Sequence, residues 1–260
     1  MDWEINEVGK IPKLRDAILI EGLPGIGNVG KLAVDFLIEE LKAKKIYEFF
    51  SYSMPHSVFV NEDNLVDLPK IEMYYATVKG RPILFLSGDT QPIDEVSSYV
   101  FSEKVLNIAT ELGTTEIITI GGIGLSNIPK NPRVFCTGNC KDIIQKYKKG
   151  TKMNDKIFGV VGPIIGVSGL LIGLSKKRKM KAMSMLAETY GHPMYLGMRG
   201  AQEVVNVLNF KLSLKLNTKK FESQVEKIEE ITAADGDMEE LPEKKMISKI
   251  KKGFDTNYIG

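Results

Sequence analysis

Three short apolar runs, at residues 17–20, 116–120 and 158–161, each lead into a glycine-rich segment. Runs of this length are typical of buried strands, and glycines after them let the backbone turn sharply. After the first run, residues 28–42 carry apolar side chains at helical spacing, and a further helix is expected from about Ser168. Strands that alternate with helices predict an α/β fold, a three-layer sandwich with a central, mostly parallel or mixed sheet.

Further strands and one long helix extend this pattern. The sequence predicts four more strands, over residues 45–50, 57–60, 71–78 and 83–87. Pro92-Ile93-Asp94 is typical of a helix start, and Gly113 is typical of the residue that follows a helix end. A helix is therefore expected from that start to about Leu112.

The character of the sequence changes after about Asn209. Residues 1–215 form the predicted α/β domain, and residues 216–234 form a predicted C-terminal helix that is charged except for one narrow stripe. The residues of the stripe are Phe221, Val225, Ile228 and Thr232. The stripe suits either a neighbouring subunit or the helix's own domain. Residues 235–260 are a predicted flexible linker and tail, acidic at first and apolar again from Met246.

Composition limits the environment and the partners. The formal net charge is +2, so no overall field favours nucleic acid, and no nucleic-acid partner is expected. Cys136 and Cys140 are the two cysteines, too few for a disulfide framework, so we expect a reducing, cytoplasmic location. The first residues show neither the basic nor the apolar region of a secretory signal.

One uncharged segment, residues 157–174, has the length of a membrane-spanning candidate, ~18 residues, and a basic run follows it at 176–179. Glycine, proline and serine crowd its first half, where they oppose a continuous helix. These residues are Gly159, Gly162, Pro163, Gly166 and Ser168. We therefore expect a buried strand, a glycine turn and a packed helix here, and no membrane association.

The sharpest local motif is GLPGIGNVGK at residues 22–31, whose loop residues are Gly25, Gly27, Asn28 and Gly30. The glycines satisfy the G-x-G-x-x-G of dinucleotide-binding folds, and Glu48 stands near the expected position of a ribose-binding acid. A P-loop is nearly matched as well, but Leu32 replaces the hydroxyl residue that would hold magnesium. In a third interpretation the small residues only let a helix pack close to the sheet, and the loop is structural.

No group of residues stands out as catalytic, so the sequence predicts a protein that is not an enzyme and uses neither a cofactor nor a metal. The candidate metal ligands are His56, His192, Cys136 and Cys140, which lack the usual paired spacing. Ser168 lacks the G-x-S-x-G context of a nucleophile. Asp89, Asp94 and Glu95 are candidate paired carboxylates, although a helix cap explains Asp94 equally well. The basic run at 176–181 is expected to be a solvated helix end.

Seven short motifs follow one another between about residues 10 and 210: GLPGIGNVGK (22–31), MPH (54–56), GDTQP (88–92), ITIGG (118–122), PRV (132–134), GVSGLLIG (166–173) and LAET (186–189). In this order they resemble the archaeal members of the second proteasome assembly chaperone family. The resemblance implies a sandwich similar to the purine nucleoside phosphorylase fold, without that enzyme's catalytic residues. It also implies a homo-oligomer, with or without a paralogue, that binds proteasome α subunits and assists or regulates their assembly.

The chain end departs from one feature of that family. Members that dock between α subunits end in a hydrophobic residue, tyrosine and any residue, whereas this chain ends Tyr258-Ile259-Gly260, with tyrosine one place too early. Apolar residues after the acidic segment still motivate the hypothesis that Phe254, Tyr258 and Ile259 dock on the α subunits. Two other functions stay open: a nucleotide- or nucleoside-binding enzyme that uses the Gly25–Gly30 loop, and an adaptor whose tail recruits a different machine.

Overall fold

The computed structural model describes residues 3–11, 13–61, 63–159, 162–223 and 225. Its contacts divide the chain into two compact units. The larger unit contains residues 1–55 and 70–216, and the smaller contains residues 56–69 and 217–260.

The described residues contain ten strands and five α-helices, besides two short 3-10 helices and the helical residues 219–223. The strands are β1 (Glu4–Glu7), β2 (Ala17–Gly22), β3 (Lys44–Phe50), β4 (Phe59–Val60), β5 (Val66–Asp67), β6 (Ile71–Val78), β7 (Arg81–Gly88), β8 (Thr114–Leu125), β9 (Val134–Gly138) and β10 (Lys181–Tyr190). The helices are α1 (Val29–Glu40), α2 (Glu95–Glu111), α3 (Lys141–Lys148), α4 (Val167–Ser175) and α5 (Met198–Leu212).

The larger unit is built on one eight-stranded sheet of order β1-β3-β6-β7-β2-β8-β10-β9. The central strands β7, β2, β8 and β10 are parallel. The flanking strands pair antiparallel with their neighbours. The prediction of an α/β fold with a mixed sheet is confirmed, and the parallel part of the sheet brings four strand ends to one edge.

Helices cover both faces of this sheet. Ala17 and Leu19 of β2 lie in an apolar cluster with Phe101 of α2 and Leu171 of α4. Successive side chains of a strand point to opposite faces, and Gly22 accordingly contacts α1 on the other side. There α1 also packs against α5. The sheet is thus the middle layer between α2 with α4 and α1 with α5.

The predicted long helix is confirmed as α2, together with its local signals. Asp94 is the N-cap, and its carboxylate accepts a hydrogen bond of 2.7 Å from the Ser97 amide. Such a cap satisfies one of the amides that a helix start leaves without an intrahelical partner. After the helix, Gly113 takes a left-handed conformation with φ of 66°, as expected for the residue that ends a helix.

The prediction of a strand at residues 158–161 is wrong for residues 158 and 159, which are the described part of it. Gly159 has a φ of 79°, which is incompatible with an extended strand, and Phe158 is fully exposed. The strand beside β8 is instead β10, which follows α4 in the chain. The helix expected from about Ser168 is confirmed as α4, although it has only nine residues. Within the part of the chain that the structure describes, none of the helices combines the length and apolarity that crossing a bilayer requires.

The smaller unit contains a short antiparallel hairpin. Strand β4 pairs with β5 through Phe59↔Asp67 and Val60↔Val66. The Asn61 side chain accepts hydrogen bonds from the amides of Asp63 (3.1 Å) and Leu65 (2.9 Å) and so fixes the turn. The strand predicted at 57–60 is therefore reduced to its last two residues.

Part of the predicted C-terminal helix also belongs to the smaller unit. Residues 219–223 are helical, and Phe221 and Val225 of the apolar stripe are buried. The stripe residues Ile228 and Thr232, like the linker and tail at 235–260, lie outside the described residues. The predicted domain boundaries at 215 and 234 stay predictions.

Two glycines allow a matched test of backbone strain. Gly80 forms the β6–β7 turn with Lys79, and both have positive φ, 78° and 50°, as a type I′ turn requires. Gly80→Ala should destabilise the fold by about 1 kcal/mol, because alanine tolerates this conformation poorly. Gly173→Ala, at an open position inside α4, should stabilise it by about 0.5–1 kcal/mol. Denaturant unfolding measures the free energy of unfolding of both variants, provided that the m-value is unchanged. Equal changes of the same sign would contradict this role of backbone conformation.

Candidate functional site

The carboxyl ends of β7, β2, β8 and β10 meet at one edge of the sheet, where α/β proteins commonly bind ligands. The first loop at this edge follows β2 and leads into α1. Gly27 and Asn28 are consecutive left-handed residues, with φ of 63° and 50°. Gly25 is extended, and a Cβ there would meet open space. The structure therefore places all four predicted loop residues at the sheet edge.

Two glycines set how closely α1 approaches the sheet. A Cβ on Gly22 of β2 would overlap the carbonyl oxygen of Gly30 in α1 and lie 2.6 Å from Val34 Cγ2. A Cβ on Gly30 would overlap the Ile120 carbonyl oxygen of β8 and lie 3.1 Å from the Cα of Gly22. Real side chains do not fit at such distances, so this packing needs glycine at both positions.

The loop is also enclosed by β8 and by the segment after β10. A Cβ on Gly122 of β8 would overlap the Ile26 carbonyl oxygen. A Cβ on Gly27 would lie 2.5 Å from Thr189 Oγ1, and the Gly197 amide donates a 2.7 Å hydrogen bond to the Gly27 carbonyl. Protein atoms thus fill the space on this side of the loop.

The lysine at the P-loop position is occupied by acidic partners. Lys31 is almost fully buried, and its Nζ lies 3.0 Å from Asp35 Oδ2 and 3.6 Å from Asp89 Oδ1. The Ser87 hydroxyl donates a 2.5 Å hydrogen bond to the other oxygen of Asp35. A phosphate at this position would have to compete with two carboxylates for the Lys31 ammonium. Leu32 adds a buried apolar side chain where a P-loop has a hydroxyl.

Glu48 does not lie beside the loop, and the expectation that it stands near a ribose site is wrong. It belongs to β3, and the hairpin of β6 and β7 lies between β3 and β2 in the sheet. Three strand spacings separate β3 from β2, about 14 Å. Glu48 pairs with Lys45 instead, and Lys45 also contacts Glu72.

A buried carboxyl group that the sequence interpretation missed lies at the end of β2. Glu21 is fully buried, and its Oε1 accepts hydrogen bonds from the Leu23 amide (3.0 Å) and the Ser168 hydroxyl (3.2 Å). Its Oε2 has no hydrogen-bond partner among the described residues. Burial raises the pKa of Glu21 to about 7, although both hydrogen bonds act in the opposite direction. The one available signal was a single acid at the end of a fully apolar run.

Ser168 therefore acts as a hydrogen-bond donor between α4 and β2. The neighbouring Gln91 also joins these elements, since its Nε2 donates to the Pro24 carbonyl at 2.8 Å and its Oε1 accepts from the Val167 amide at 3.4 Å. Neither contact was predicted. Both hold the start of α4 against the loop that follows β2.

The remaining acidic candidates have separate structural partners. Asp89 accepts a 3.1 Å hydrogen bond from the Lys70 amide through the oxygen that does not face Lys31. Asp94 caps α2, and Glu95 is exposed in the first turn of that helix. The three carboxylates are thus not assembled as a pair for acid–base chemistry.

The candidate metal ligands of the larger unit are also dispersed. Cys136 is buried in β9, where burial raises the pKa of its thiol to about 11, and Cys140 is the N-cap residue of α3. His192 stacks on Tyr190 and accepts a 3.3 Å hydrogen bond from the Met194 amide. His56 lies in the smaller unit. Among the described residues, no three or more His, Cys, Asp or Glu side chains are grouped so that they could hold a metal ion.

The three tail residues predicted to bind a partner, Phe254, Tyr258 and Ile259, lie outside the described residues. Their role stays a prediction, as does any ligand role of the loop.

The chain is thus an α/β sandwich protein with a mixed sheet and a tightly packed glycine loop. The model of the PAC2 family matches residues 19–234, and the chain belongs to this family. The family named from the sequence motifs is thereby confirmed.

Solved structures and relatives agree with this assignment. The structure is similar to that of Pyrococcus furiosus PbaB, an archaeal proteasome activator, with a TM-score of 0.81, 33% identity, and coverage of 90% of this chain and 99% of PbaB. It is also similar to P. furiosus PbaA, an archaeal homolog of proteasome-assembly chaperone, with a TM-score of 0.73, 25% identity, and coverage of 95% and 98%. The uncharacterized protein MJ1210 of Methanocaldococcus jannaschii is 28% identical over 256 residues, which are 98% of this chain and 96% of that protein.

The packing of the loop predicts opposite outcomes for two glycine substitutions. Gly30→Ala should destabilise the protein by about 2–3 kcal/mol, because the new Cβ would overlap backbone atoms of β8 that cannot move freely. Gly25→Ala, with an extended backbone and open space, should change stability by less than about 0.5 kcal/mol. Thermal and denaturant unfolding measure both. Similar losses at the two positions would show that close packing does not explain the motif.

Glu21 predicts a pH dependence of stability. Its pKa rises from an ordinary 4.5 to about 7 on folding, so the folded state binds more protons between these values. The contribution of Glu21 to the free energy of unfolding is then fully present below about pH 4.5. It falls as the pH rises through 7, by about 3 kcal/mol in all. Glu21→Gln cannot ionise, so its stability relative to the unsubstituted protein should rise from pH 5 to pH 8. Parallel stability curves would contradict this prediction.

Proposed function

We propose that this protein is a non-enzymatic proteasome assembly chaperone or regulator that binds 20S α subunits as a homo-oligomer in the cytoplasm. The similarity to PbaB, which extends over 90% of the chain at 33% identity, is the observation that carries the proposal. The PAC2 match and the similarity to PbaA support the same function.

The chemistry of the sheet edge supports a role without catalysis. The Lys31 ammonium has two carboxylate partners, and the Ser168 hydroxyl is bound to a buried carboxyl group. A catalytic nucleophile or base needs to face a substrate in the geometry of the reaction. These groups instead link elements of the fold, and recognition is left to surfaces.

In this proposal the Gly25–Gly30 loop is a packing element, and it binds no small ligand. Gly27 contacts the β10 segment, and Gly30 contacts β8. The open position at Gly25 leaves that residue available to a subunit contact. A nucleotide-binding enzyme, the alternative from the sequence, would need a phosphate to sit beside a lysine that two acids already neutralise.

The proposal includes docking of the chain end on the α subunits, with or without a paralogue in the assembly. Residues 246–260 contain Phe254, Tyr258 and Ile259 after an acidic segment. Aromatic and apolar side chains that fill pockets supply much of the energy of protein contacts. These three residues are therefore the proposed anchors.

Removal of residues 246–260 tests the anchors. The truncated chain should bind purified α subunits at least about 10-fold more weakly, a loss of about 1.4 kcal/mol or more, because it lacks the apolar contacts. Native mass spectrometry of the mixture and a binding titration measure the complex and its affinity.

A double variant, Phe254→Ala with Tyr258→Ala, should reproduce the loss, whereas Asn257→Ala between them should not. Unchanged binding after truncation would refute the role of the tail. An absence of any complex between the full chain and α subunits would refute the proposed function. Stabilisation of the protein by ATP, NAD or a nucleoside would favour the enzyme alternative instead.

A further inference from the structure

Exposed apolar side chains occupy one face of the β4–β5 hairpin in the smaller unit. Val60 and Val66 are directly opposite each other in the hairpin, and they are 42% and 65% exposed. Val58 lies two residues before Val60 and Leu68 two residues after Val66, a spacing at which side chains of an extended chain share a face. These two are 51% and 56% exposed. We refer to the four residues as the hairpin apolar face.

The pairing register joins these side chains into one surface. Opposite residues of an antiparallel pair have Cβ atoms about 4.5–5.5 Å apart, which brings Val60 and Val66 into contact. The neighbouring pair is Phe59↔Asp67, and the next place along the same register puts Val58 opposite Leu68. Single exposed apolar residues are ordinary, whereas a contiguous group is typical of an interaction site.

The carboxylates of the hairpin lie on its other face and at its turn. Asp67 is opposite Phe59, and its Oδ2 accepts a 3.1 Å hydrogen bond from the Asn61 side chain. Asp63 lies in the turn, where its amide donates to Asn61 Oδ1. Residues 56–69 contain neither lysine nor arginine. The hairpin apolar face is therefore uncharged itself and is bordered by acidic groups.

A segment near the chain end complements this surface in polarity and in charge. Residues 244–254, KKMISKIKKGF, contain five lysines, four large apolar side chains and no acidic residue. The apolar side chains can cover valine and leucine while the ammonium groups meet the carboxylates at the border, and such complementarity selects a partner. A second copy of the hairpin would instead bring carboxylates together, which disfavours it as the occupant.

The same segment is tethered to the unit that contains the hairpin. Residues 217–223 and 225 belong with the hairpin to the smaller unit, and residues 226–243 connect them to the segment. A short tether makes the contact intramolecular and gives an effective concentration on the order of 1 mM. A contact that would be weak between separate molecules is then mostly formed.

We infer that residues 244–254 bind the hairpin apolar face of the same chain. The inference goes beyond the proposed function, because it gives the hairpin a partner within the protein itself. Phe254 is also a proposed anchor on the α subunits, and one side chain cannot occupy both places. The hairpin therefore holds the tail in the free protein, and a partner has to displace it.

Carbodiimide cross-linking of the full chain tests the inference. The reagent joins a carboxylate to an ammonium group only where the two are in contact. Digestion and mass spectrometry should therefore identify amide bonds between the acids at 62–67 and the lysines at 244–252, in a product that migrates as one chain in a denaturing gel. About 1 M salt should lower the yield, because it screens charges that are more than about 3 Å apart.

Substitutions on the two faces of the hairpin give a matched comparison. Val60→Ser combined with Val66→Ser removes the apolar centre and should lower the cross-link yield about 10-fold. Leu65→Ser is the control, because Leu65 is 63% exposed but is paired with Asn61, on the other face, and it should leave the yield unchanged. Circular dichroism checks that each variant is folded. An unchanged yield in the double variant would contradict the inference.

A disulfide measurement keeps the test decisive if the double serine variant fails to fold. Val66→Cys with Ile250→Cys should form a bond within one chain on mild air oxidation, because a disulfide needs Cα atoms within about 7 Å. Leu65→Cys with Ile250→Cys is the control and should form much less. Peptide mapping distinguishes these bonds from any that involve the partly exposed Cys140. Equal yields for the two pairs would overturn the inference.

Release of the tail should also affect partner binding, an expectation that rests on the proposed function. If the hairpin holds the tail about nine-tenths of the time, the double serine variant should bind α subunits about 10-fold more tightly. Unchanged binding beside a lost cross-link would contradict the competition between the two contacts. A binding titration with purified α subunits measures it.

The outcomes separate this inference from the proposed function. Cross-links between chains instead of within one would assign the hairpin to a second copy and overturn the inference. Loss of α-subunit binding in the double serine variant, without within-chain cross-links in the unsubstituted protein, would assign the hairpin to the proteasome and also overturn it. Within-chain cross-links in a protein that binds no α subunits would support the inference and refute the proposed function.

Discussion

The direct contact of α1 with the middle of the sheet is the constraint on which the site geometry depends. It exists because Gly22 and Gly30 have no side chains to hold the helix away from β2 and β8. The closeness of α1 places Lys31 beside Asp35 and Asp89. It also brings the preceding loop against β8 and β10. A single methyl group at either glycine would push the helix outward and change all of these contacts together.

Two polar side chains at the sheet edge also have their partners within the protein. Lys31 has its carboxylates, and Ser168 has Glu21. Burying a charge is costly unless it is paired, and a buried carboxyl without a cation responds by binding a proton near neutral pH. Lys31, which is paired, and Glu21, which has no cation beside it, illustrate these two solutions. Polar groups that in other α/β proteins face a ligand at this edge are here bonded to other parts of the fold.

Local signals explain why part of the fold was predictable. Strand β2 and helices α1 and α2 are marked by apolar runs, helical spacing, an Asp cap and glycine ends, all of which act within a few residues. The order of strands in the sheet has no such signal. Glu48 was misplaced because the hairpin of β6 and β7 inserts between β2 and β3, and sequence order alone does not show this.

Strand β10 was missed for a different reason. It is almost entirely buried but carries Ser184 and Glu188, which make its sequence look less like a core strand. Their partners are distant in the chain: Ser184 bonds Thr119, 65 residues away, and Glu188 bonds Arg133, 55 residues away. Glu21 and Ser168, the linked pair at the candidate site, are 147 residues apart. Polar residues satisfied over such separations are the part of a fold and site that local patterns cannot reveal.

The two ends of the eight-stranded sheet bear on how copies of the chain can meet. Strand β1 has only four residues, so it offers few unpaired backbone groups to another sheet. At the outer edge of β9, the Asn154 carbonyl accepts a hydrogen bond from the Cys136 amide, and the Asn154 amide donates one to the Val134 carbonyl. Part of that edge is therefore already hydrogen-bonded. Growth of one continuous sheet from molecule to molecule is thereby discouraged. The proposed homo-oligomer would then be held by side-chain contacts and not by sheet pairing, and closed symmetry of such contacts gives particles of defined size.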